Sequence, residues 1–220
     1  MAQQFDLEPV MNFLGELKSN NDRGWFEGRR AQYDEALGQF ESYVSSIIEF
    51  LSETEPFSGL SPKDCIFRIY RDTRFSKDKS PYKTNMGAYI APGGRKSHLM
   101  GYYVHIEPGA SMLAGGLHHP DPAQLSAWRD SIDSDPEKFK SIVDNERFKK
   151  FFGEVQGEKL KSVPRGYPKD HPEMDLLRLK SVTVSRMLSD REVLASDFFD
   201  ETITTYKVLR PFLRYMDSIL

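Results

Sequence analysis

Six basic side chains fall within sixteen consecutive residues near the middle of the chain, and only two acidic side chains lie among them. The whole chain carries a formal charge of −3, so this cluster is not part of a general basic surface. Arginine suits phosphate and carboxylate groups because its guanidinium donates hydrogen bonds in a planar fork. The composition therefore predicts a local site for a small anionic ligand. The six are Arg68, Arg71, Arg74, Lys77, Lys79 and Lys83.

The spacing gives most of these residues a distinct role. Arg71 and Arg74 are expected to fork onto the anion, and Asp72 between them is expected to orient an arginine by pairing. Lys79 and Lys83 would add positive charge where a predicted strand ends, since loops at strand ends can hold binding residues on a rigid support. The other predicted ligand-binding residues are Arg68, Tyr82, Lys180, Arg186 and His118.

Two other interpretations of the basic stretch stay open. The stretch could dock an acidic protein surface or the end of a nucleic acid. It could instead be an internal network of ion pairs that fixes a long loop, with Asp72 pairing Arg68 or Arg74. If the protein is an enzyme, the site suits a metal-independent hydrolase or transferase acting on a phosphoester, through electrostatic stabilisation of developing charge. No catalytic residue is identifiable from the sequence.

Motifs of common enzymes and metal sites are absent from the sequence. The stretch "GGRKS" over 93–97 lacks the spacing of a phosphate-binding P-loop and predicts a turn. The five histidines show no metal-binding spacing, so no metal or cofactor is expected. His118 and His119 are adjacent, so on a strand or a helix their side chains would point apart. His105 is expected to be a packed histidine within a strand.

Length and composition set broader limits. A chain of 220 residues fits one domain, and a pI near 6.0 disfavours extended nucleic-acid binding. Cys65 is the single cysteine and is expected to be a small buried residue. The N-terminus shows no targeting pattern, and no apolar run approaches the ~20 residues that span a bilayer. These features predict a cytoplasmic protein without a membrane partner.

The elements that must position the basic stretch follow from hydrophobic periodicity. Helical spacing predicts a helix around 10–17 and a second, long helix from Arg23 to about Ser52, capped by Asp22. Alternating patterns then predict strands with short links, which implies antiparallel pairing. These strands are "CIFRIYR" over 65–71, "MGAYIA" over 86–91, "LMGYYVHIE" over 99–107 and "SMLAGG" over 111–116.

Helix signals return after the strands. Asp-Pro pairs at 121–122 and 135–136 begin two helices, and Gly153 closes a third. The β-branched stretch "SVTVSRML" over 181–188 predicts one more strand. If it joins the sheet near "FRIYR", Lys180 and Arg186 would meet the basic stretch. The expected fold class is α+β, a single domain over 1–220 with helices on an antiparallel sheet, a long N-terminal helical hairpin and a long C-terminal helix.

Five stretches of the chain resemble the DUF2461 family of conserved uncharacterised proteins. They are "NNDRGWFEGRRAQYDEA", "FRIYRDTRFSKDKSPYKTNMGAYIAPGG", "GYYVHIEPG", "GEKLK" and "LKSVTVSR", and the resemblance extends over nearly the full length. The family has no established activity, so the resemblance implies no catalytic residues. The predicted anion site therefore rests on the side chains alone.

Overall fold

The computed structural model describes residues 5–220, and these residues form ten α-helices and four β-strands. This confirms the predicted α+β class, with helices at the N-terminus and a long helix at the C-terminus. The helices are α1 Glu8–Ser19, α2 Arg23–Gly28, α3 Arg30–Ser52, α4 Pro62–Cys65, α5 Pro122–Ser134, α6 Pro136–Val143, α7 Glu146–Phe152, α8 Met174–Leu177, α9 Asp190–Val193 and α10 Phe198–Ile219. The strands are β1 Met86–Ile90, β2 Tyr102–Ile106, β3 Ser111–Leu117 and β4 Val182–Leu188.

The four strands form one antiparallel sheet in the order β1-β2-β3-β4. Strand β2 has the predicted alternation, because Tyr102, Val104 and Ile106 are buried whereas Tyr103 and His105 are partly exposed. One face of β2 therefore contributes to the core and the other carries polar side chains. In this order the neighbour of β4 is β3, so β4 is not paired with the "FRIYR" segment.

Two compact units make up the chain, and each is built from three separate segments. The first unit contains the chain up to Ser97 together with Tyr103–Leu113 and Met187–Thr204. The second unit contains His98–Tyr102, Ala114–Arg186 and Thr205–Leu220.

Aromatic side chains form much of the core of the first unit. The Phe26 ring stacks on Tyr82 with centroids 4.0 Å apart, and Tyr33 lies 5.0 Å away. Tyr43 stacks on Phe198, and its hydroxyl hydrogen-bonds Thr202 over 2.6 Å. Close ring packing of this kind adds stabilisation beyond the buried area itself.

In the second unit, α5 begins at its predicted cap and contributes to the core. Asp121 accepts a hydrogen bond from the backbone of Gln124, while Trp128 packs edge-on against Phe139. The indole of Trp128 is buried, and it donates to the carbonyl of Leu176 over 3.2 Å. The buried polar atom therefore has the partner that burial requires.

The long second helix predicted from the sequence is two helices. Asp22 caps α2 as expected, accepting from the Trp25 backbone over 2.9 Å, but α2 ends at Gly28. Arg29 leaves the helical region with φ −122°, and α3 begins at the next residue. The Arg29 side chain pairs with Glu16 over 3.3 Å and lies 4.6 Å from the Trp25 ring centroid. These contacts accompany the break at Arg29. The apolar spacing of the sequence continues across Arg29, so the sequence pattern does not indicate the break.

The predicted strand over 65–71 is wrong as a regular strand. Cys65 instead ends α4, and the following segment makes only two isolated antiparallel bridges, Ile66 to Ala88 and Tyr70 to Tyr82. Three residues lie between the bridged positions on one segment and five lie between them on the other. The two extra residues interrupt the ladder, as a bulge does. The segment is extended, but its register changes along its length.

Two further features of the described residues bear on the predictions. Cys65 is fully buried, as expected. None of the helices within residues 5–220 combines the length and the apolar character that crossing a membrane demands.

Candidate functional site

Residues 71–80 form a loop that we call the basic loop, and internal contacts hold it together. Arg71 forms an ion pair with Asp78 and also donates to Ser76 over 3.5 Å. Asp78 additionally accepts from the backbone and the hydroxyl of Ser80, over 2.9 and 2.6 Å. The bonds from Arg71 and Ser80 hold the pKa of Asp78 well below its usual range. Arg71, at one end of the loop, therefore already has binding partners within the loop.

A second pair fixes the other side of the basic loop. Arg74 donates to Asp72 through Nε over 3.0 Å and through Nη2 over 2.6 Å, which is a bidentate contact. These bonds lower the pKa of Asp72 to about 2. Lys79 donates to the carbonyl of Thr73 over 2.9 Å. Three of the predicted ligand-binding cations therefore have partners within the loop, as the ion-pair interpretation expects.

Arg68 and Lys83 differ from the cations of the basic loop. Neither makes an ion pair with a carboxylate anywhere in residues 5–220. Lys83 is half-buried, and its ammonium lies 5.4 Å from the centroid of the Phe67 ring. Burial, and then the nearby charge of Arg68, lower the pKa of Lys83. Lys83 is thus a partly desolvated cation beside an exposed one, Arg68, and neither forms an ion pair within these residues.

Asn21 positions the segment that carries Lys83. Its side chain donates to the carbonyl of Tyr82 over 3.0 Å and accepts from the backbone N–H of Tyr82 over 3.1 Å. The Lys83 N–H donates to the carbonyl of Ile69 over 2.8 Å. The side-chain amide therefore acts as a backbone partner for Tyr82, whose ring is fixed by stacking on Phe26.

An open cleft of about 730 Å³ lies beside the basic loop, and it divides the predicted residues into two groups. Arg71, Lys79 and Tyr82 line the cleft, together with the acidic side chains Asp22 and Glu27. Arg68 and Lys83 are not part of its lining. The basic residues that the sequence groups together therefore do not share one site.

Three polar side chains on the outer face of β2 form a hydrogen-bonded chain. The hydroxyl of Tyr103 lies 3.0 Å from Nδ1 of His105, and Nε2 of His105 lies 2.9 Å from Oε2 of Glu107. Thr84 donates to the other oxygen of Glu107 over 2.7 Å. The side chains of His105 and Glu107 are 12% and 21% exposed, so solvent and small molecules have partial access.

The surroundings of these groups affect their protonation. Burial, and then the charge of Glu107, raise the pKa of Tyr103, so its hydroxyl stays protonated at neutral pH. Burial alone would raise the pKa of Glu107, but hydrogen bonds from Thr84 and His105 outweigh it, and the pKa of Glu107 is lowered. Glu107 is therefore a carboxylate that can accept hydrogen bonds at neutral pH.

The sequence offered a signal for this chain of residues. Tyr103, His105 and Glu107 are spaced by two and so share one face of a strand. The sequence predicts a packed histidine at His105, because no local pattern places Asn85 beside His105 or Thr84 beside Glu107. The amide of Asn85 in fact lies 2.8 Å from Nδ1 of His105.

The remaining predicted residues belong to the second unit and have partners there. Lys180 pairs with Glu158 over 2.5 Å. Arg186 donates to the hydroxyl of Thr205 over 2.7 Å, and its guanidinium lies 5.0 Å from the Phe151 ring centroid. Their predicted meeting with the basic stretch required strand pairing with "FRIYR", and the sheet does not contain that pairing.

His118 and His119 lie on neither a strand nor a helix, so the alternation expected there does not apply to them. Their ring centroids are 4.0 Å apart, because both follow the end of β3, where strand alternation no longer applies. Burial, and then His119, lower the pKa of His118. Within residues 5–220 no three histidine, cysteine or acidic side chains are grouped so that they could hold a metal ion.

Comparison with known proteins agrees with the resemblance of the five sequence stretches. No curated protein matches the chain, and no solved structure matches it. A family model described as a conserved hypothetical protein, DUF2461, matches residues 9–215, which include the basic loop, Lys83 and the Tyr103–Glu107 stretch. The chain therefore belongs to the DUF2461 family.

Proposed function

We propose that this protein binds a small anionic ligand, bearing phosphate or carboxylate, at Arg68 and Lys83. The observation that carries the proposal is a pair of neighbouring cations that form no ion pair with a carboxylate in residues 5–220, one of them half-buried. Removing a charge from water costs free energy unless an opposite charge compensates it. A bound anion would supply that charge to Lys83 and accept hydrogen bonds from both side chains.

The basic loop has a supporting role in this proposal. Arg71 and Arg74 are paired with aspartates of the loop, so of the three basic residues only Lys79, which binds a carbonyl, adds positive charge that no carboxylate of the loop offsets. Asn21 fixes the backbone at Tyr82, directly before Lys83. We place the protein in the cytoplasm, and the single unpaired thiol of Cys65 suits a reducing compartment.

A calorimetric and thermal-shift titration with inorganic phosphate, phenyl phosphate and benzoate tests the proposal. A ligand at 100 times its Kd should stabilise the protein by ~2.7 kcal/mol. For a chain of this size the melting temperature would rise by roughly 5–10 °C. Lys83→Gln and Arg68→Gln should each remove most of the shift.

Arg74→Gln is the matched control. It removes one positive charge from the same stretch, but that charge is 77% exposed and already paired with Asp72. It should leave the shift nearly unchanged. If no anion raises the melting temperature, or if Arg74→Gln weakens binding as much as Lys83→Gln does, Arg68 and Lys83 do not form an anion site.

A second candidate function is docking of a single-stranded nucleic acid end by the basic loop. Phe75 favours it, because this side chain is 96% exposed at the loop and the Arg74 guanidinium lies 5.9 Å from its ring centroid. An exposed aromatic beside cations can stack on a base. A labelled short oligothymidylate followed by fluorescence anisotropy tests this. Phe75→Ala should weaken binding by roughly 1–3 kcal/mol. Equal affinity of this variant and the unaltered protein would eliminate the candidate.

A further inference from the structure

We propose that Tyr103 is a nucleophile, with His105 as its base and Glu107 as the residue that orients His105, and that it attacks a phosphate monoester. The inference rests on the proposed function, because Arg68 and Lys83 would hold the phosphate. It gives the same site an activity and assigns roles to residues outside the basic stretch.

The direction of the hydrogen bonds supports this arrangement. Glu107 can only accept, so the proton between it and His105 lies on Nε2 of the ring. Nδ1 of the neutral ring is then an acceptor, and the Tyr103 hydroxyl 3.0 Å away donates to it. A hydroxyl that donates to a base, which is in turn held by a carboxylate, is the arrangement of an activated nucleophile.

Asn85 does not compete with Tyr103 for this position. Its amide nitrogen lies 2.8 Å from Nδ1 and 3.4 Å from Nε2 of the same ring. Closeness to both nitrogens places the amide over the ring face, because a donor in line with the Nδ1 lone pair would lie far from Nε2. The lone pair of Nδ1 in the ring plane thus remains available to the Tyr103 hydroxyl.

Phe67 contacts both the ring of the nucleophile Tyr103 and the ammonium of Lys83. Its ring lies edge-on to the Tyr103 ring at a centroid distance of 6.4 Å, and the same ring lies 5.4 Å from the Lys83 ammonium. Phe67 is itself partly exposed. Phe67 thus contacts both groups, and we place the phosphate of the monoester beside this ring, held by Lys83 and Arg68 and attacked by Tyr103.

The reaction balances with water as its only co-reactant. A bond forms between the Tyr103 oxygen and phosphorus as the bond from phosphorus to the leaving alcohol oxygen breaks. The phenol proton passes to Nδ1 of His105, and the departing oxygen, on the opposite side of phosphorus, takes a proton from water and leaves as the alcohol. Attack by the resulting hydroxide on the phosphorylated Tyr103 then releases phosphate, and His105 returns its proton to the phenolate oxygen. The raised pKa of Tyr103 makes the base necessary, since the free hydroxyl stays protonated at neutral pH.

Reaction with sulfonyl fluorides tests the nucleophile directly. The probes are 4-(fluorosulfonyl)benzoate, which is anionic, and the neutral phenylmethanesulfonyl fluoride. In both, the tyrosine oxygen bonds to sulfur, fluoride leaves, and the base takes the phenol proton. The labelled residue is identified by peptide mass spectrometry. Tyr103 should react at least tenfold faster than Tyr70, a more exposed tyrosine that serves as an internal control. Tyr103→Phe should remove this label.

Variants separate activation from anion binding. Glu107→Gln keeps an acceptor for Thr84, and both it and His105→Gln should slow labelling of Tyr103 by both probes about tenfold. Lys83→Gln should slow only the anionic probe. Circular dichroism checks that each variant is folded.

The possible results distinguish failure of the proposed nucleophile from failure of the proposed anion site. If Tyr103 reacts no faster than Tyr70, or if both His105→Gln and Glu107→Gln react at the original rate, the nucleophile is overturned. If Tyr103 reacts fast with both probes while Lys83→Gln leaves the anionic rate unchanged, the nucleophile is supported and the anion site at Lys83 fails. If anions bind but Tyr103 is not labelled, the anion site stands without this activity.

Discussion

The Tyr103 hydroxyl lies over the backbone of Gly87 in β1, and a methyl group there would lie 2.8 Å from the hydroxyl oxygen. We predict that Gly87→Ala displaces the hydroxyl from His105 and destabilises the fold by about 1–3 kcal/mol, as overpacking does. Urea denaturation measures this loss.

A double-variant cycle shows whether the hydroxyl is the cause. The next closest atoms of Tyr103 are ring carbons 3.4 Å from the added methyl, an ordinary contact distance. Gly87→Ala combined with Tyr103→Phe should therefore lose less stability than the sum of the two single changes. If the two losses of stability are additive, contact with the Tyr103 hydroxyl is not the reason that Gly87→Ala destabilises the fold.

Asp72 should titrate well below the ordinary aspartate pKa of ~3.9. Its hydrogen bonds from Arg74 lower the pKa to about 2 in the folded protein. Because the folded value is below the unfolded one, the pair stabilises the folded protein fully above pH ~4, and this contribution is lost as the pH falls through about 2. Carboxyl-carbon NMR measures the midpoint.

Arg74→Gln is the corresponding test of cause. It removes the guanidinium that donates to both oxygens of Asp72. The midpoint of Asp72 should rise toward the ordinary value, while that of Asp78, which pairs with Arg71, should change little. A midpoint of Asp72 that stays low in this variant would contradict the assigned partner.

At the scale of elements, Asn21 connects the turn after α1 to the segment before β1. We predict that Asn21→Ala destabilises the fold by about 1–3 kcal/mol, because it leaves the N–H and carbonyl of Tyr82 without their partner. The same change should weaken phosphate binding, since Tyr82 directly precedes Lys83. Chemical denaturation and calorimetry give the two quantities.

Asn20→Ala is a matched control one residue away. The Asn20 side chain is exposed and donates only to the carbonyl of Glu16 within the same helix end. This variant should change stability by less than about 1 kcal/mol and leave phosphate affinity unchanged. Equal losses in the two variants would show that the bonds to Tyr82 have no special importance.

The elements with regular periodicity could be predicted from the sequence, and those set by distant contacts could not. The alternation in β2 and the cap at Asp22 are local patterns, and both were found correctly. The break at Arg29 is accompanied by contacts of its side chain with Glu16 and Trp25, which no local pattern encodes. The shifted register after Ile66 likewise depends on the length of the partner segment.

In the candidate site, too, features that follow from local sequence patterns could be predicted and those that depend on distant contacts could not. Composition drew attention to the basic stretch, but ion pairing within it decides which cations are already bound, and that pairing depends on the conformation of the loop. Arg71 and Arg74 ranked highest by position, yet both are bound by aspartates of the loop. Tyr103 and His105 share a face by simple alternation, whereas the nearness of Phe67 to Tyr103 depends on the fold.

At the scale of the whole molecule, each unit is assembled from segments far apart in the sequence. We predict that a fragment ending at Leu113 does not fold. It contains Tyr43 but lacks Phe198 and Thr202, which pack on the Tyr43 ring and bond its buried hydroxyl. The fragment would also expose apolar surface that these residues cover.

Near-ultraviolet circular dichroism and amide NMR dispersion compare the fragment with the full chain. The full chain should give fixed aromatic signals and a cooperative thermal transition, and the fragment should give neither. A cooperative transition in the fragment would show that the first 113 residues hold enough of the core to fold alone.

Because Cys65 is buried, the reactivity of its thiol can report how often the first unit unfolds transiently. The thiol has no exposed surface, and burial, then the charge of Asp64, raise its pKa to about 12. Both effects keep it unreactive, because the thiolate is the form that attacks. A disulfide reagent can modify this single thiol only while the first unit is transiently unfolded. The rate of colour development, followed under native conditions, would therefore report how often that unit opens and how much a bound anion slows it.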